Sequence, residues 1–98
     1  MRHLRFDVAT LHVDHKPVVL KAAYLLVAQQ DGSIDLQWEC LAYGFESAEI
    51  PRGGYQVEIV TLDGRSISGP VVLVRSLDGN HVLRGDGPIV GVTADELS

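Results

Sequence analysis

The side chains best suited to chemistry in this sequence are four histidines, one cysteine and thirteen carboxylates. His12, Asp14 and His15 stand closest together and invite comparison with a metal site. A zinc ion needs three or four protein ligands converging on one point. Along a strand, side chains alternate faces, so His12 and Asp14 share a face that His15 leaves. The spacing matches no defined metal motif, and the segment reads as a solvated hairpin end. Cys40 is the single thiol. It shares a period-2 face with Leu36 and Trp38, and a thiol in apolar surroundings has a raised pKa and is inert. No Gly-x-Ser-x-Gly elbow is present. Neither a Gly-x-Gly-x-x-Gly nor a Gly-x4-Gly-Lys-Ser/Thr pattern offers a phosphate cradle. Asp35 and Glu39 fall on one strand face, too far apart to share a proton. Arg84-Gly85-Asp86 spells a tripeptide that some extracellular proteins present to integrins, but followed by Gly87-Pro88 it reads as a β-turn. The expectation is no catalytic, cofactor-binding or metal-binding residue. An enzyme without a recognisable motif ranks third among the functional readings.

Composition narrows the partners. The net charge is −5, and acidic and basic residues are interspersed from one end to the other. No window is basic enough to neutralise several phosphates, which argues against nucleic acid and anionic membranes. The six aromatics fall mostly on apolar strand phases beside acidic neighbours, unlike a base-stacking platform. A single cysteine cannot form an intramolecular disulfide, and small secreted domains usually carry several. The first residues lack the apolar run of a signal peptide, and the longest charge-free apolar run, residues 22–28, is far short of a membrane span. A cytoplasmic location is the expectation.

The elements that must position these residues read as strands. Asp-Gly occurs four times, at Asp31-Gly32, Asp63-Gly64, Asp78-Gly79 and Asp86-Gly87. Both residues tolerate positive φ, as type I′ hairpin turns require. Turns at this spacing predict an all-β fold: a small antiparallel meander of five to seven strands, barrel-like or sandwich-like, with at most one short helical turn. The single domain spans residues 1–93, and residues 94–98 form an acidic tail expected to fray. The clearest strand covers residues 33–43, with Ile34, Leu36, Trp38, Cys40 and Ala42 inward and Asp35, Gln37 and Glu39 outward. Residues 17–28 read as its hairpin partner, with Val18, Leu20, Ala22, Tyr24 and Leu26 as the core phase. A helix competes there, since Lys21-Ala22-Ala23 favours one. In residues 4–13 the apolar phase shifts from Leu4, Phe6 and Val8 to Leu11 and Val13, which predicts a β-bulge near Ala9-Thr10. Residues 44–54 read as a loop, with a possible helical turn at residues 46–49. Tyr55, Val57, Ile59 and Thr61 form one face of a fourth strand. Residues 65–76 form a fifth, interrupted at Gly69-Pro70, where proline demands a bulge, bend or edge. Residues 80–84 and 89–93 complete the set.

Several of these strands carry more apolar residues than one face needs. Leu25, Val27, Leu41, Tyr43, Val71 and Leu73 fall on the second face, and monomers rarely expose large apolar patches. These six are the candidate interface. The functional expectation is a non-enzymatic structural or protein-interaction module acting through a β-sheet surface and self-associating, its partner a second copy in a homodimer or another protein. The alternative is a binder of a small apolar ligand in a barrel cavity lined by Trp38, Leu36, Tyr24 and Val57.

Overall fold

A chain rich in β-branched residues and tight turns closes a sheet on itself. The computed structural model describes residues 1–45 and 49–98. The described residues form strands β1 (Arg2–Val13), β2 (Lys16–Val18), β3 (Leu20–Gln29), β4 (Gln37–Gly44), β5 (Gly54–Thr61), β6 (Ser66–Leu77) and β7 (Asn80–Gly85), then one 3-10 turn, Ala94–Glu96. Every pairing is antiparallel. The order β1-β3-β4-β7-β6-β5 returns to β1, giving a closed six-stranded barrel, and β2 is the extra strand on β1. The fold is thus the barrel form of the expected meander, and residues 17–28 are strand, not helix.

Closure depends on β1. Its first half pairs with β3 and its second half with β5, and the register shifts between Val8 and Thr10. That is the bulge the apolar phase predicts. A bulge bends a strand and raises its twist, which lets one strand serve two neighbours and leaves the barrel without a long open edge.

The turns are more varied than the Asp-Gly count suggests. Asp78 (φ 54) and Gly79 (φ 79) form the two-residue loop between β6 and β7. Asp14 (φ 47) and His15 (φ 67) do the same between β1 and β2. Both are the all-positive type I′ geometry that matches strand twist. Asp63-Gly64 belongs to a three-residue loop closed by Thr61 N–H on the Arg65 carbonyl at 2.9 Å. Asp31-Gly32 lies instead in the longer connection 30–36, and Asp86-Gly87 in the irregular segment after β7. Neither joins a tight hairpin.

The interior is filled by side chains from all six barrel strands. Leu11, Leu25, Val27, Cys40, Val57, Ile59, Ile67, Val71 and Leu83 are fully enclosed. β4 keeps the expected phase, with Trp38, Cys40 and Ala42 inward. It begins only at Gln37, however, so Ile34 lies outside the strand and is 91% exposed. β3 reverses the expected phase: Ala23, Leu25 and Val27 point inward, and Tyr24 and Leu26 do not. A register shift against β4 between Leu20 and Ala22 sets this, and periodicity could not reveal it because both phases are apolar.

β6 runs unbroken through Pro70, which sits opposite Gln56 of β5. The Pro70 carbonyl accepts from Asp86 N–H at 2.8 Å, beyond the last residue of β7. The donor that proline lacks therefore falls where β7 has already ended. Residues 89–93 are not a strand; Val90 alone bridges to Ser68. The tail carries contacts that a frayed end would lack. Leu97 is buried, and Ser98 exchanges backbone hydrogen bonds with His3 at 3.0 and 3.2 Å. Glu96 pairs with Arg65 and accepts from Thr93 N–H at 2.8 Å. The helical turn expected at residues 46–49 lies largely outside the described residues.

Candidate functional site

The six candidate interface residues divide between inside and outside. Leu25, Val27, Val71 and Leu73 are buried in the barrel core and cannot line a surface patch. This corrects the expected interface, and the cause is the phase of β3 together with the inward face of β6. Leu41 and Tyr43 do point outward.

The outer apolar surface is built from a different set. Tyr24, Leu41 and Val82 stand side by side in register across β3, β4 and β7. Around this row lie Leu26 (40% exposed), Tyr43 (38%) and Val74 (39%). Tyr24 and Tyr43 meet edge to face at 6.3 Å, and the Arg5 guanidinium lies 4.3 Å over the Tyr24 ring. Such contacts stiffen amphipathic side chains on a surface. Apart from Leu41 and Tyr43, this band escaped sequence reading because Tyr24 and Leu26 counted as core and Val82 as an ordinary strand residue.

The band runs into an open cleft of about 1330 Å³ at the barrel mouth. The ends of β1, β3, β4 and β7, the connection 30–36 and residues 87–89 surround it. Trp38 forms its floor, and two glycines make room for the indole. A Cβ on Gly69 would come within 2.7 Å of the ring, and one on Gly85 would come closer still. The indole N–H donates to the Gly87 carbonyl at 3.0 Å, which fixes the ring plane. Leu36 and Ile89 are partly buried beside it. Three charges, Arg5, Glu39 and Arg84, edge the mouth in one cross-strand row that also holds Leu26. Ile34 and Asp35 lie on the connection that walls the cleft.

No protein-family model, curated protein or solved structure matches the chain.

Several of the other chemistry-bearing residues have structural partners. Asp14 Oδ1 accepts from Gln56 N–H at 2.8 Å, and His15 Nδ1 lies 3.0 Å from Glu58 Oε1. His12 faces Glu58 across β1 and β5. Among the described residues no three His, Cys, Asp or Glu side chains are grouped to hold a metal ion. Burial pushes the Cys40 thiol up to about 12, so it stays protonated. Arg84 and Gly85 end β7, so Arg84-Gly85-Asp86 is not at a turn apex. One pairing was missed. Ser76 Oγ lies 2.8 Å from His81 Nδ1 and accepts from Ile50 N–H at 2.8 Å. His81 is buried, and burial holds its imidazole below the usual value, in the neutral form. The neutral Nδ1 can then accept the serine proton, and the pair pins residue 50 against β6. The two-residue Asp78-Gly79 turn was the available signal, since it places Ser76 opposite His81.

Proposed function

We propose that this protein is a non-enzymatic interaction module that works through the outer face of β3, β4 and β7 and associates with a second copy of itself. One observation carries this reading: the apolar row Tyr24–Leu41–Val82 lies outside a barrel whose own core is already filled. Nothing inside the fold requires those three side chains to be apolar together. Their lateral contact, with cross-strand neighbours about 5 Å apart, makes one patch rather than scattered exposure. A second copy suits it because self-complementary two-fold contacts are the commonest oligomeric arrangement.

The test is Leu41→Glu in sedimentation equilibrium. Leu41 points outward, so the variant should keep a native far-UV spectrum and lose association. An unchanged dimer, or a wild type that is monomeric at high micromolar concentration, overturns the reading.

A second reading, binding of a small apolar ligand, moves from the barrel interior to the mouth cleft. Of the four residues expected to line an internal cavity, Val57 is enclosed by core side chains and Tyr24 lies outside. Leu36 and Trp38 line the cleft. Small barrels fill their interiors with side chains, and this one does so. Titration with a medium-chain fatty acid, followed by Trp38 fluorescence, would support this reading by a saturable change.

A further inference from the structure

The geometry points to a reciprocal exchange in which the mouth cleft of each copy receives residues 33–35 of the other, with Ile34 as the apolar anchor and Asp35 set against Arg84. This rests on the self-association reading and specifies where the second copy sits.

Ile34 is the first observation. At 91% it is the most exposed large apolar side chain among the described residues, yet it stands at the edge of a cleft floored by Trp38, Leu36 and Ile89. Its own cleft does not take it in. Single exposed apolar residues need no explanation, but one placed beside an unfilled apolar floor is an anchor next to a receptacle. Both lie at the same end of one chain. An isologous contact requires that arrangement, since residue i of one copy meets residue j of the other and the reverse.

The loop is also held ready. Ser33 N–H donates to the Gln30 carbonyl at 3.1 Å, and Asp35 N–H donates to Ser33 Oγ at 3.2 Å. Asp31 Oδ1 holds the N-terminal ammonium at 3.0 Å. A loop tied within itself and at its N-terminal shoulder loses less conformational freedom on docking.

Charge supplies the orientation. Ile34 is followed by the carboxylate of Asp35, so the tip is apolar and then acidic. The receiving mouth is apolar at its floor and carries Arg84, Arg5 and, between them, Glu39 at its edge. Arg5 already faces Asp7 at 3.6 Å, whereas Arg84 makes no ion pair among the described residues. Opposite charges across an interface fix register and exclude wrong partners.

Area makes the cleft necessary. A standard interface buries about 800 Å² per partner. The six band side chains are each 40% exposed or less. Even a large aromatic offers only ~250 Å² in all, so the band alone falls short. The inserted loop and cleft walls supply the rest, and they are continuous with the band through Leu26.

Sedimentation equilibrium on the full chain tests the exchange, with Ile34→Asp beside Leu41→Glu. Ile34→Asp should keep the native far-UV spectrum, because the side chain is solvent-exposed, and should weaken dimerisation at least tenfold. Asp35→Arg and Arg84→Asp should each weaken it, and the double variant should recover most of the loss. An Ile34→Asp protein that remains as dimeric as wild type overturns the exchange; a monomeric Leu41→Glu protein in that experiment leaves the outer-face reading standing. Failure of the double variant to recover overturns the pairing of Asp35 with Arg84. A wild type that is monomeric throughout, or that grows into open-ended oligomers, overturns the two-fold exchange altogether.

Discussion

Trp38 illustrates how one side chain can dictate its neighbours. Its indole occupies the space where side chains at 69 and 85 would stand, so both positions are glycine. Trp38→Ala should therefore cost about 3–5 kcal/mol, a large share of a small domain's stability, measured by urea unfolding. Gly85→Ala should cost about 1–3 kcal/mol, because a rigid ring hydrogen-bonded to Gly87 cannot yield without strain. Melting unchanged in both variants would show that the slot is loose. That Trp38 and Cys40 are core was legible, since polar Gln37 and Glu39 alternate with them. The two glycines were not, because nothing along the chain says which side chain crosses above them. His81 makes a second residue-scale prediction. Its folded pKa is depressed below the ordinary 6.5 by burial, so the unfolded chain takes up the proton first as pH falls. The stability due to neutral His81 is fully present above that value and is lost as pH drops through the folded pKa. Wild type should lose more melting temperature between pH 7 and pH 5 than His81→Gln, and equal losses would remove the effect.

At the scale of the element, phase is the quantity that matters. β1 could be read correctly, bulge included, because Arg5, Asp7 and His12 mark its outer side as clearly as Phe6, Val8 and Leu11 mark its inner side. β3 could not, because Ala22, Tyr24 and Leu26 are as apolar as Ala23, Leu25 and Val27. Only the register against β4 decides between them, and register is a property of two strands. The same ambiguity hid the outer band, since assigning Tyr24 and Leu26 to the core left too few residues outside. Adjacent substitutions test the phase directly. Leu25→Ala should destabilise the fold by about 2–5 kcal/mol, as buried leucines do. Leu26→Ala, one residue away and partly exposed, should stay within about 1 kcal/mol. Equal losses at the two positions would mean that β3 is not fixed in this register.

For the whole molecule, closure separates stability from association. β1 pairs with β5 although three other strands lie between them in sequence, and the C-terminal residues fasten Leu97 and Ser98 against the start of β1. Once closed, the barrel has buried its own core, and the outer band adds nothing to that burial. Under the proposed self-association, a copy is stabilised only by mass action, because folded chain would associate and unfolded chain would not. The melting temperature of the wild type should therefore rise with protein concentration. Each tenfold step is worth of order 1 kcal/mol, and for a domain of this size that is a few degrees. Leu41→Glu should melt at one temperature at every concentration, equal to the dilute limit of the wild type. Leu25→Ala should melt lower throughout but keep the same concentration slope, since its deficit lies in the barrel and not between copies. A wild-type slope of zero, or a slope that survives Leu41→Glu, would place the contact elsewhere or nowhere.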